Sequence, residues 1–284
     1  MLQKTFKVSS EKICRDIVNY TIGFANITLE NRVEDAECAG SGTLVTIGSL
    51  HGILTAAHVI DEGLPKKGRV GLVQYLEPAA PFQKFEIQME MTESVMIRAA
   101  KFGPDGPDLA FLKLPDESVS WLKAKNSFYN LPKYRDDALA YNEPAPSHID
   151  CIVGMIAALT EEVPTDRKEA RKKRFTAIFG QGEVRTMKYV GNMESLGVTP
   201  ISDPEFGLPE NYQGTSGGAL WRFYIAEKDG NASVVGRRLI GVPFYQSSTE
   251  EGVRIISCQG PRAIYQSMID AVSEKWPREV ALAT

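Results

Sequence analysis

Short apolar segments bounded by turn residues dominate this chain, and few follow a helical period. Residues 40–47 and 51–56 read as a hairpin turning near Gly48-Ser49-Leu50. A strand over 20–29 precedes it, and further β signals fall at 69–76, 83–90, 94–100 and 108–114. Each is short, rich in β-branched or aromatic residues, and closed off by Gly, Pro or charge. Six or seven such segments in about 100 residues predict a closed antiparallel barrel. A second set follows at 149–158, 174–180, 183–190, 216–224, 233–247 and 252–258.

Helical periodicity is confined to three places. Residues 9–19 carry Ser9 or Ser10 as a cap, Glu11 in the first turn and an apolar stripe of Ile13, Ile17 and Val18. A short helix fits 117–125. Residues 261–276 open on Pro261, a favoured first-turn residue, and read as a terminal helix. Between the two strand sets, 115–147 holds Pro115, Pro132, Pro144 and Pro146 and reads as a connection. The expected division is therefore 1–130 and 131–284. Residues 192–213, with Pro200, Pro204 and Pro209, read as a long loop of the kind that often carries function.

One stretch carries distinctive chemistry: Gln213-Gly214-Thr215-Ser216-Gly217-Gly218-Ala219-Leu220. A serine hydroxyl is a weak nucleophile and needs a base within hydrogen-bond reach. Flanking glycines let the backbone turn sharply and bring N–H groups toward a substrate carbonyl. Such groups can stabilise an oxyanion. Taken alone, the stretch reads equally well as a glycine-rich turn. The chain has three histidines, His51, His58 and His148. His58 ends the apolar segment Ile53-Leu54-Thr55-Ala56-Ala57-His58, and Asp108 opens Asp108-Leu109-Ala110-Phe111-Leu112. His51 opens a strand and His148 sits at another strand's start, positions that are usually structural or solvated. Asp105 lies in a Gly/Pro turn, and Asp61 is too near His58 in sequence to be the obvious partner.

Thr-Ala-Ala-His, Asp-Leu-Ala-Phe-Leu and Gly-Thr-Ser-Gly-Gly, in that order, resemble the trypsin/chymotrypsin-like serine proteases. The spacings of 50 residues from His58 to Asp108 and 108 from Asp108 to Ser216 suit that family. The resemblance implies an all-β fold of two six-stranded antiparallel barrels with a short N-terminal helix and a closing C-terminal helix. It implies a catalytic triad of His58, Asp108 and Ser216, with the N–H groups of Gly214 and Ser216 as oxyanion hole. By the same resemblance Glu210 lies at the pocket floor, and Gln213, Phe244, Tyr245, Gln246 and Gly252 line the substrate path. Glu210 would favour a basic side chain before the scissile bond, whereas Arg254 could neutralise it or select an acidic one.

Two rivals fail, one on residue order and one on its secondary-structure pattern. The G-x-S-x-G elbow of α/β-hydrolases also fits 214–218, but that fold needs a histidine after the serine, and none follows Ser216. A subtilisin order needs an aspartate before His58, and Asp16 and Asp35 qualify, but that fold needs alternating strands and long helices, which this chain lacks. Departures from the resembled family also matter. Val59 replaces a cysteine that follows the histidine in secreted members, so that disulfide cannot form. Thr215 replaces the aspartate that pairs with a cut N-terminus. Phe244 replaces a serine that supports the triad aspartate.

Composition adds limits. The chain has 284 residues, 43% of them hydrophobic and 24% charged, with a net charge of −4. A chain of this size buries about three-quarters of its unfolded surface without a staple. The charge suggests neither a nucleic acid nor a membrane partner. Cys14, Cys38, Cys151 and Cys258 form no C-x-x-C pair, so no metal and no cofactor are expected. The start of the chain has no apolar secretory segment, and no apolar run reaches the ~20 residues of a membrane span. A cytoplasmic protein with free thiols is the expectation. The basic run 167–174 reads first as a solvated loop, and otherwise as a docking patch or a self-cleavage site. The expected function is a serine endopeptidase acting on a protein or peptide, with a protein partner that activates or restrains it as one possibility. The alternative is a silent pseudoprotease serving as a binding module.

Overall fold

A computed structural model describes residues 10–75, 85–99, 103, 106–164, 170–191, 193–201, 211–228, 231–248 and 251–281. Strands in the first half are β1 (Thr21–Glu30), β2 (Val33–Ile47), β3 (Leu50–Thr55), β4 (Arg69–Val73), β5 (Phe85–Gln88), β6 (Glu93–Arg98), β7 (Asp108–Lys113) and β8 (Tyr129–Asn130). Those in the second half are β9 (Ser147–Met155), β10 (Glu161–Val163), β11 (Lys172–Arg174), β12 (Ala177–Val190), β13 (Met193–Pro200), β14 (Ala219–Lys228), β15 (Asn231–Ser248) and β16 (Arg254–Gln259). Helices are α1 (Ser10–Val18), α2 (Asp116–Lys123), α3 (Arg135–Leu139), α4 (Ile269–Lys275) and α5 (Pro277–Ala281), with the helical segment Arg262–Met268 running into α4.

The second sheet closes as a ring in the order β12-β13-β16-β15-β14-β9. The first sheet follows β5-β4-β1-β2-β3-β7-β6, with β8 added parallel to β2. Its end strands β5 and β6 do not pair among the described residues, so this sheet forms a half-barrel there, where a closed six-stranded barrel is expected. Two further expectations change. The segments 174–180 and 183–190 are one strand, β12, because Gly182 is not a turn. A Cβ there would lie 2.7 Å from Val198 Cγ1, so glycine permits close approach of β13. The supposed loop from 192 begins as strand β13, which buries Leu196 and Val198 between β12 and β16. Residues 202–210 lie outside the described residues.

The two halves share a core. Val45, Ile47, Leu54 and Phe111 from the first sheet join Val153, Trp221, Leu239 and Val242 from the second in one buried cluster. Each end of the chain packs on the opposite half. Ile13 and Ile17 of α1 enter this cluster as their spacing predicts, and Asp16 pairs with Arg237 of β15 at 3.0 Å. At the other end, Ser49 donates its N–H and hydroxyl to the Glu279 carbonyl at 3.0 and 2.7 Å, closing the C-terminal helix over the β2–β3 turn.

The basic run is partly anchored. Its described end, from Ala170, bridges to Glu34, and Lys173 and Arg171 pair with Asp35 at 2.8 and 3.6 Å. No helix among the described residues is long and apolar enough to cross a membrane.

Candidate active site

His58 follows the end of β3 and Asp108 starts β7, its pairing partner, so the ladder brings residues 50 apart into contact. Asp108 is buried and grips His58 twice. Its Oδ1 accepts the His58 backbone N–H at 2.8 Å, and its Oδ2 contacts ring Nδ1 at 2.6 Å. An ionised aspartate only accepts hydrogen bonds, which assigns the proton to Nδ1 and leaves Nε2 unprotonated. The His58 side chain is about one-fifth exposed. The turn below it is apolar: Gly40 sits so close to Val59 that a Cβ would lie 2.8 Å from both its methyl carbons. Val59 therefore fills its position by packing.

Ser216 belongs to a loop whose peptide planes are almost all fixed. Gln213 O accepts Ala157 N–H at 2.9 Å, Gly214 O accepts the Ser41 hydroxyl at 2.7 Å, Thr215 O accepts Gly218 N–H at 2.8 Å, and Ser216 O accepts Ser41 N–H at 2.8 Å. Thr215 N–H donates to Tyr212 O at 3.0 Å and Gly217 N–H to Pro243 O at 2.7 Å. The N–H groups of Gly214 and Ser216 have no acceptor among the described residues. In a trans peptide, C=O and the following N–H point in opposite directions. Anchoring Gln213 O and Thr215 O inward thus turns the N–H groups of Gly214 and Ser216 away from those anchors. This conformation needs positive φ at Gly214 (98°) and Gly217 (80°), where only glycine is unstrained.

Gly217 also joins the loop to the histidine's strand. A Cβ there would lie 1.9 Å from Thr55 Oγ1, 2.3 Å from Ser41 O and 2.9 Å from Ala56 N, two residues before His58. Backbone atoms cannot yield as a flexible side chain can. Gly217→Ala is expected to destabilise the protein by about 4 kcal/mol or more, a large part of the ~5–15 kcal/mol of an ordinary domain. Thermal melting checks this.

The other predicted residues divide. Gln213 is exposed, and Tyr245 and Gln246 are half-buried. Gln246 also accepts Tyr212 N–H at 2.9 Å, tying β15 to the serine loop. Phe244 does not line a surface. Its side chain is 1% exposed and joins Ala56, Ala57 and Val59 in a core cluster. The cause is a bulge between Pro243 and Tyr245, which re-aims the side chain between them. Gly252 lies exposed with open space around it, and Glu210 and Asp105 fall outside the described residues. Arg254 is half-buried at the start of β16.

His51 sits at the far end of β3 with Nδ1 2.9 Å from Ser49 O, and His148 is exposed 3.9 Å from Asp150. Neither joins the site. Asp61 is engaged by Lys66 at 2.6 Å and by Arg98. The hydroxyl of Ser216 forms no hydrogen bond with the His58 ring at rest. Ser41 was missed by sequence reasoning; its signal was a serine between Gly40 and Gly42.

The four cysteines are free. Cys38 lies beside the loop, its Sγ 2.7 Å from where a Gly214 Cβ would stand. Burial pushes its thiol up to about 11, against a smaller opposing effect of a backbone hydrogen bond at Gly40. Raised to about 11 from an ordinary 9.0, the thiol holds about a hundredfold less thiolate at neutral pH. Iodoacetamide at pH 7.5 is expected to alkylate Cys38 about a hundredfold more slowly in native protein than in urea, read by peptide mass spectrometry. No group of three or more potential metal ligands occurs among the described residues.

No protein-family model and no curated protein matches this chain.

Proposed function

We propose that this protein is a serine endopeptidase with a chymotrypsin-like arrangement of its two sheets. One observation carries the reading: a histidine held twice by a buried aspartate, beside a serine loop whose two unpaired N–H groups flank the nucleophile. In the proposed reaction Ser216 Oγ attacks a peptide carbonyl and its proton passes to His58 Nε2. The oxyanion is received by the N–H groups of Gly214 and Ser216. The C–N bond breaks, and His58 gives its proton to the leaving amine. Water then attacks the acyl-enzyme with His58 again as base, releasing a carboxylate and restoring Ser216. Asp108 holds the imidazole in orientation and stabilises its positive form. Catalytic hydrogen bonds often tighten only when substrate is bound, so the resting Ser216–His58 geometry is compatible with this chemistry.

That same resting geometry favours a second reading, in which the site is silent until a partner closes it or serves only to bind peptide. A fluorophosphonate probe separates the two. Covalent labelling of Ser216, absent in Ser216→Ala and strongly reduced in His58→Ala, supports the enzyme. Intact protein that stays unlabelled rejects a constitutive one.

A further inference from the structure

We infer that Ser41 is a positioning residue that sets the oxyanion loop through its side chain, an inference that rests on the protease reading. Ser41 lies on β2, in the opposite half of the molecule from Ser216, and is completely buried. Its hydroxyl donates to Gly214 O at 2.7 Å and accepts Met155 N–H at 2.7 Å. Its N–H donates to Ser216 O at 2.8 Å, and its carbonyl accepts the Thr55 hydroxyl at 2.7 Å. One residue thus holds the carbonyls of both amino acids whose N–H groups have no acceptor among the described residues.

The hydroxyl has a task the backbone bond cannot share. Between the Gly214 and Ser216 N–H groups lies a single peptide plane, that of Gly214 and Thr215. Its N–H end is fixed to Tyr212 O and its C=O end to Ser41 Oγ. Turning that plane changes the angle between the two donors. Removing Oγ frees its carbonyl end and leaves Met155 N–H, at the end of β9, without a partner. Buried groups left so are costly, and the loop relaxes to find new ones. An oxyanion hole works because its donors are already aimed, so a loosened plane lowers the rate of the chemical step more than it weakens binding.

The test measures fluorophosphonate labelling across probe concentrations, well below the melting temperature. In Ser41→Ala the limiting labelling rate is expected to fall about 10- to 100-fold, while the concentration giving half that rate stays within about twofold. Val45→Ala, on the same strand and in the shared core, provides the control: its melting temperature drops, and its labelling rate holds. A Ser41→Ala rate within twofold of the parent overturns the role. So does an equal loss in Val45→Ala, which would trace the effect to lost stability. Should Ser41→Ala not fold, Ser41→Cys keeps a weak donor at the position, and the same split in its labelling rate decides. Parent protein that never labels ends the protease reading and this inference with it.

Discussion

Ser216→Ala is expected to abolish covalent labelling and to lower kcat for peptide hydrolysis about a million-fold, with thermal stability nearly unchanged. The side chain lost is small and half-buried, and no described hydrogen bond depends on its hydroxyl. The loop is held by main-chain bonds and Ser41, all of which survive the substitution. On the proposed reading what disappears is the nucleophile, and members of such a triad act as a unit, so loss of one removes nearly the whole effect. A residual acceleration of roughly 10³–10⁴ over water can persist from an oxyanion hole and substrate binding alone. Steady-state kinetics on a general protein substrate, with melting curves for both proteins, read both halves of the expectation. A variant that retains full hydrolysis moves the chemistry elsewhere in the molecule.

How much of this was legible in the sequence depends on distance along the chain. The Asp108–His58 pair was legible because each residue borders a short apolar strand, and those strands, β3 and β7, pair directly. The serine loop was legible because its conformation is written locally, in glycines at 214 and 217 that positive φ requires. Ser41 was not, since its partner Gly214 lies 173 residues away and the glycines beside it do not name that partner. Phe244 shows a different limit. Its segment was recognised, but a one-residue bulge decides which way a strand side chain faces, and here it turned the ring into the core. The stretch 192–213 reads as a loop on Pro200, Pro204 and Pro209, and strand β13 lies at its start. Gly197 makes room for Thr186, whose Oγ1 would lie 2.2 Å from a Cβ. Closure of a sheet is the least legible property: it depends on whether the last strands meet, and the first sheet's β5 and β6 do not among the described residues.

Asp108→Asn is expected to lower kcat about 10⁴-fold while the protein folds and melts much as before. The argument follows from the two bonds to His58. The amide of asparagine has one oxygen and one NH₂ group, and the His58 backbone N–H at 2.8 Å can be satisfied only by the oxygen. The NH₂ group then faces ring Nδ1 at the position where Oδ2 stood, 2.6 Å away. Two donors cannot share that contact, so the proton must leave Nδ1 for Nε2. Nε2 would then present an N–H to Ser216 in place of a lone pair, and no base remains to take the serine proton. The volume is unchanged and both bonds are kept with one reversed, so the ladder between β3 and β7 stays intact. Two readouts together check this: fluorophosphonate labelling slowed by roughly the same factor as kcat, and NMR of the imidazole nitrogens showing the proton on Nε2. A normal rate with the tautomer exchanged would mean that His58 is not the base. A normal rate with the proton still on Nδ1 would mean that the asparagine had rotated and that the twofold grip does not set the tautomer.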